Sequence, residues 1–160
     1  MMNSNKKIVS LASLKRKLSA LRKQKRTIAF TNGCFDILHY GHVSYLQKAK
    51  AKDRVLVVGL NSDSSVRKIK GPQRPVNSEL NRAGVLAGLE CVDFVTIFNE
   101  ETPYELIRAV RPDILIKGAD WKGKAVAGSD LVSRVELIEY VPNLSTTNII
   151  GKIQKSGQAS

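Results

Sequence analysis

Runs of strand length built almost wholly from apolar residues recur along this chain. Each gives way to a polar turn and then to a segment of helical period. Val55-Leu56-Val57-Val58-Gly59-Leu60 is the clearest of them. It is rich in β-branched residues and shows no alternation, which suits a strand buried on both faces. Further strands are expected at 27–32, 92–98, 113–117 and 136–141, with the clear run inside 54–60. Helical stretches are expected at about 11–24, 42–50, 63–67 and 78–89, then from Thr102-Pro103 and from Ser145-Thr146-Thr147. Strands that alternate with helices and lack a polar face build a parallel sheet wound through right-handed crossovers. The expected fold class is α/β: a single doubly wound parallel sheet of about five strands with helices on both faces.

In a Rossmann-like sheet of this kind, ligands sit beyond the carboxyl ends of the strands. The segments to inspect are therefore 31–36, 61–63, 117–121 and 142–147. In the first, Thr31, Asn32 and Gly33 close a strand with turn chemistry, and Val43 and Leu46 open a helical period. His39 and His42, the only histidines of the chain, sit at that helix start, three residues apart and on one face. A helix start points unpaired N–H groups at an anion, and Gly41 leaves room for a ligand to approach the backbone. The pair suits phosphate contact. Metal binding would need a third ligand, for which only Cys34 and Asp36 are near in sequence, and a structural pair is the remaining alternative.

Other residues aim at the same crevice. Lys117 brings a cation to a strand end, Gly118 a tight turn, Asp120 an acceptor and Trp121 an aromatic face suited to a base or a sugar. In 145–147, Ser145 is the natural helix cap, and three hydroxyls beside unpaired N–H groups also suit a phosphate. Arg82, within a helix, and Lys68, Lys70 and Arg74, in or beside a Gly/Pro loop at 69–77, are candidates for a mobile clamp on an anionic ligand. There is no Walker loop, no Gly-x-Gly-x-x-Gly and no Ser/His/Asp arrangement, which disfavours kinase, dinucleotide dehydrogenase and hydrolase chemistry.

The net charge of +12 over 160 residues is unevenly spread. Residues 1–26 hold nine basic residues and no acidic one, leaving the remainder at +3. Leu11, Leu14, Leu18 and Leu21 recur at helical spacing there, so this basic N-terminal helix is expected to pack one side and wet the other. The alternative is a basic nucleic-acid-binding module. No recognition motif or aromatic-rich face supports it, so nucleic acid is not the expected partner. No apolar run is long enough for a membrane span, no targeting segment is evident, and Cys34 and Cys91 are too few for a disulfide framework. A cytoplasmic protein with reduced thiols is expected. The domain division expected is the basic helix 1–26, a main domain 27–155 and a flexible tail 156–160.

Residues 31–42, Thr-Asn-Gly-Cys-Phe-Asp-Ile-Leu-His-Tyr-Gly-His, resemble the His-x-Gly-His motif of the nucleotidyltransferase superfamily with a cytidylyltransferase-like fold. Ser145-Thr146-Thr147-Asn148-Ile149-Ile150 resembles that superfamily's C-terminal phosphate motif. Asn61-Ser62-Asp63, Lys70-Gly71, Arg74-Pro75-Val76-Asn77, Arg82 and Lys117-Gly118-Ala119-Asp120-Trp121 resemble the bacterial D-glycero-β-D-manno-heptose 1-phosphate adenylyltransferases. The similarity spans about residues 26–153.

The resemblance implies AMP transfer from ATP to a sugar 1-phosphate, with Mg²⁺ carried on the triphosphate and no protein-held metal. It implies catalytic roles for His39, His42, Lys70 and Arg82. It implies nucleotide contacts from Thr31, Asn32, Gly33, Cys34, Phe35, Gly41, Lys117, Gly118, Ser145, Thr146 and Thr147, and substrate contacts from Asp36, Asp63, Asp120 and Trp121. Some members fuse this domain to a sugar kinase; here a separate kinase upstream is expected. A homodimer is compatible with the helix-rich edges. A CTP-dependent enzyme acting on glycerol 3-phosphate or another phospho-alcohol is the alternative. Related glycerol-phosphate enzymes, however, carry an Arg shortly before Ser-Thr-Thr, where this chain has Pro142-Asn143-Leu144.

Overall fold

The computed structural model describes residues 4–51, 53–139, 141–142 and 144–157. Five parallel strands form one sheet: β1 (Thr27–Gly33), β2 (Arg54–Asn61), β3 (Phe94–Phe98), β4 (Ile114–Gly118) and β5 (Arg134–Ile138). Their order across the sheet is β3-β2-β1-β4-β5. β1 is central, and the chain winds outward from it first to one side and then to the other. The winding reverses between β1 and β4, so a crevice opens beyond their carboxyl ends.

Among the described residues, six α-helices connect and cover the strands: α1 (Leu11–Lys23), α2 (Tyr40–Ala49), α3 (Asp63–Lys70), α4 (Glu79–Gly88), α5 (Tyr104–Val110) and α6 (Thr146–Gly157). The two sheet faces have separate apolar cores. Ala29, Leu56, Val58, Ile114 and Ile116 pack with Tyr45 and Leu46 of α2 and with Ala83 and Leu86 of α4. Ile28, Phe30, Val55, Val57 and Leu115 pack with Leu14 and Leu18 of α1 and with Leu106, Ile107 and Val110 of α5. Consecutive residues of each strand point to opposite faces, so runs such as Val55-Leu56-Val57-Val58 feed both layers.

The basic N-terminal segment thus forms a layer of the sheet, its Leu14 and Leu18 side packed against the strands. Ser10 caps α1, accepting from the Ser13 amide at 3.3 Å, and Leu14 and Leu18 are fully buried. Arg22 donates to the carbonyls of Val110 and Arg111 at 2.6 and 2.8 Å, tying α1 to the end of α5. Before the helix, Ile8 bridges Val95 in parallel and the Val9 amide donates to Val95 O at 2.9 Å, which covers the free edge of β3.

Several boundaries differ from expectation. The fifth strand starts two residues before and ends three before the expected 136–141, paired with the five residues of β4 from Ile114 opposite Arg134 to Gly118 opposite Ile138. Tyr140, in the expected strand, lies outside the described residues. Helix α2 begins at Tyr40 with His39 as its N-cap, and α5 begins at Tyr104 with Pro103 as its cap. Helix α6 reaches Gly157, two residues into the expected tail, and residues 158–160 lie outside the described residues. Among the described residues, no helix is long and apolar enough to cross a membrane.

Candidate active site

The loop from β1 to α2 folds back on itself at the crevice. Phe35 holds a left-handed backbone, φ 43°, an uncommon conformation for a bulky side chain that marks local strain. That turn buries its ring, whose edge meets His42 at 5.2 Å between centroids. His39, extended at the helix cap, lays its imidazole over that of His42 with centroids 3.9 Å apart and planes 25° from parallel. Gly41 makes this possible: a Cβ there would stand 3.0 Å from two His39 ring atoms and 3.4 Å from the Leu144 Cβ. The space expected for a ligand beside Gly41 is filled by the first histidine.

The Nδ1 atoms of both imidazoles are buried and have no hydrogen-bond partner among the described residues. Burial lowers the pKa of both rings. His42 falls to about 4, with the neighbouring His39 adding to the effect. Both are therefore neutral near pH 7, and each carries one N–H and one bare nitrogen. Unpaired buried ring nitrogens on a stacked pair are able to bind a hydrogen-bonding group.

The start of α6 meets this pair. Ser145 Oγ accepts from the Asn148 amide at 3.1 Å and so acts as the cap. Thr146 Oγ1 donates to Ile37 O at 3.3 Å, pinning the helix start against the β1–α2 loop. Thr146, Thr147 and His42 line one cavity of about 500 Å³, together with Asn32, Gly33, Cys34, Phe35, Asp36, Lys70, Lys117, Gly118 and Trp121. Burial raises the Cys34 thiol, against the pull of Lys70, Arg82 and Arg74, so it stays protonated and is no nucleophile.

Lys117 forms the opposite wall. On β4 it has the facing of Leu115, toward α5, and on β1 Asn32 has that of Phe30. Lys117 Nζ donates to Asn32 Oδ1 and stands 5.2 Å above the Trp121 ring. Only 6% of Lys117 is exposed, and burial brings its pKa down to about 8, partly opposed by Asp120. This ammonium has no ion-pair partner among the described residues and looks into a cavity. Such a charge is costly to bury alone and is satisfied by an anion.

Several expected ligand contacts are spent inside the fold. Arg82, 2% exposed, is not in the cavity lining. Its Nε donates to Asn77 O at 3.0 Å, Nη1 to Cys34 O at 2.6 Å and Asn61 O at 2.8 Å, and Nη2 to Asp63 Oδ1 at 2.7 Å. Arg82 and Asp63 thus form a strut between the loops after β1 and β2, and neither lines this cavity. Asp36 lines the cavity, but its carboxylate accepts from the amides of Val76 and Asn77 at 2.8 and 3.0 Å and from Arg74 Nε. Burial pushes that carboxyl up, yet those amides and the guanidinium outweigh it and hold the group below the usual carboxylate range. Asp36 therefore anchors the 74–77 loop. Thr31 is fully buried with its hydroxyl paired to Tyr45 Oη at 2.8 Å, and Asp120 and Ser145 also lie outside the lining.

The cavity also includes Tyr45, Asn61, Ile69, Arg74, Glu101, Thr102, Pro103 and Ala127. Of these, Glu101, Thr102 and Pro103 follow β3. The rule that pointed to the other strand ends covers this one equally, although no motif marks it.

A cytidylyltransferase-like family model matches residues 30–152. The bifunctional protein HldE of Wolinella succinogenes is 58% identical over 153 residues, covering 96% of this chain and 32% of that protein. The bifunctional protein HldE of Campylobacter fetus is 56% identical over 149 residues, covering 93% and 32%. The chain spans about a third of the length of these curated relatives. A lipopolysaccharide core biosynthesis protein from Thermoplasma volcanium superposes with a TM-score of 0.58 at 27% identity, covering 72% of this chain and 96% of that one. Pantothenate synthetase from Thermus thermophilus shares the fold, with a TM-score of 0.60 at 19% identity, covering 89% and 67%.

Proposed function

The chain belongs to the cytidylyltransferase-like family, and on that footing we propose that it is an adenylyltransferase. It moves AMP from ATP to D-glycero-β-D-manno-heptose 1-phosphate, giving ADP-heptose and pyrophosphate. The observation that carries this reading is that His42, stacked on His39, and the start of α6 line one cavity. The sugar is favoured by the resemblance of the segments around 61–63, 70–77 and 117–121. The role printed for the Thermoplasma volcanium protein agrees with it. The sugar phosphate comes from a sugar kinase, and the reaction belongs in the cytoplasm, where ATP is made.

The nucleophile is an oxygen of the sugar's own phosphate, already anionic near neutral pH. It forms a bond to the α-phosphorus of ATP while the bond to the α,β-bridging oxygen breaks, and pyrophosphate leaves with that electron pair. No proton has to be removed, so the protein's task is positioning and charge stabilisation. His42, backed by His39, donates an N–H to an α-phosphate oxygen. Thr146, Thr147 and the free amides of α6 hold the departing β- and γ-phosphates. Lys70, Arg74 and Lys117 supply positive charge around the reacting centre.

No trio of His, Cys, Asp or Glu among the described residues is arranged to hold a metal, and the Asp36 carboxylate is consumed by its own loop. That donor set fits a Mg²⁺ ion that arrives on phosphate oxygens and water, where it would neutralise the triphosphate.

The test is pyrophosphate release with ATP, CTP and GTP, each offered heptose 1-phosphate and glycerol 3-phosphate. ATP with heptose 1-phosphate is expected to be by far the fastest pair. A preference for CTP with glycerol 3-phosphate would replace this reading, and release from no pair would end it.

A further inference from the structure

The cavity holds three cations, Lys70, Arg74 and Lys117, and two carboxylates, Asp36 and Glu101. A cation-lined cavity suits two phosphorylated substrates. A carboxylate in it repels both phosphates and needs another explanation. Asp36 has one, because the amides of its loop and Arg74 occupy its oxygens. Glu101 has none: no hydrogen bond or ion pair to its side chain is present among the described residues, and it sits exposed at the rim. A carboxylate only accepts hydrogen bonds, and a neighbouring pair of hydroxyls supplies two donors at the spacing of its two oxygens.

The placement of two loops says which ligand brings those hydroxyls. The start of α6 is pinned to Ile37 in the β1–α2 loop, on the side of the sheet that α2 covers. Glu101 and Thr102 lead from β3 into α5, which covers the other side. In an in-line displacement the attacking oxygen stands opposite the leaving pyrophosphate. With pyrophosphate held at the α6 start, the acceptor's phosphate enters from the α5 side. The rest of the sugar then extends toward the loop after β3.

We infer that Glu101, assisted by the Thr102 hydroxyl, recognises the exocyclic hydroxyls of the acceptor sugar, at the end remote from its phosphate. This rests on the proposed sugar-phosphate reading and adds the residue that selects for sugar length.

The test uses the full chain and the variants Glu101→Gln and Glu101→Ala, with KM measured separately for ATP, Mg²⁺ and heptose 1-phosphate. Mannose 1-phosphate, which lacks the seventh carbon and its hydroxyl, serves as the comparison acceptor. In Glu101→Ala the KM for heptose 1-phosphate is expected to rise about tenfold or more, the scale of a lost hydrogen bond to a charged group. Preference for the heptose over mannose 1-phosphate should fall by a similar factor, while KM for ATP stays within about twofold. An unchanged preference, or a rise confined to ATP or Mg²⁺, overturns the assignment alone. A wild-type chain that releases no pyrophosphate with any sugar 1-phosphate overturns the proposed function, and this inference with it.

Discussion

Replacing Arg82 with alanine should cost stability before it costs chemistry. The side chain is fully enclosed and uses four of its five N–H donors, three on main-chain carbonyls and one on Asp63. Truncation strands those acceptors and leaves Asp63 without its partner. Removing one member of such a buried pair typically costs about 3–5 kcal/mol. For a chain of 160 residues, that corresponds to a fall in Tm of about 6–20 °C. The assay pairs urea denaturation with turnover measured well below the variant's Tm. Arg82→Lys, which keeps the charge but loses the planar fork, should fall between wild type and Arg82→Ala. A variant that unfolds within about 1 kcal/mol of wild type yet loses most of its turnover would refute the argument. It would return the guanidinium to the phosphates, where its position in the sequence first suggested it belonged.

Other consequences follow from the same geometry. His42→Ala should lower kcat by about 10²–10³, the usual loss of one preorganised donor, with Tm close to wild type; near-normal turnover would remove the imidazole from the mechanism. Because the folded pKa of His42, about 4, lies below its unfolded value of 6.5, the unfolded chain binds more protons between those values. Stability should therefore decline as pH falls from about 6.5 to 4, and His42→Gln should flatten that part of a denaturation profile. Lys117, with a pKa of about 8, should lose its charge as pH rises through that value, so kcat/KM should fall on an alkaline limb that is absent in Lys117→Met. Asp36→Asn should loosen the 74–77 loop, seen as faster hydrogen exchange at the Val76 and Asn77 amides and a higher KM for both substrates.

The buried strands were legible because burial on both faces leaves no polar residue to blur them, as in Val55-Leu56-Val57-Val58. The bounds of the fifth strand were not. Arg134-Val135-Glu136 pairs on one side only, is partly wet, and carries no apolar run. The cavity-lining groups at helix starts, His42 with Thr146 and Thr147, were readable because backbone geometry fixes where a helix start points. Long charged side chains were not. Asp36 and Arg82 stand where ligand contacts are expected, but their partners, Val76, Asn77 and Asn61, are known only once the loops have folded over one another. Gly41 kept its place at the site for a different reason, since the imidazole of His39 occupies the room it provides. Glu101 belongs to no motif, and only the strand order brings it to the cavity.

The layer formed by α1 also governs how this sheet can be handled. A polypeptide begun at Thr27 would bare Phe30, Val55 and Val57 to water and free the β3 edge that Ile8 and Val9 now guard. Such a plank would stick to its own copies and be lost to inclusion bodies during expression. Any cut or splice meant to keep it whole belongs ahead of Ile8, well upstream of where the recognisable motifs begin.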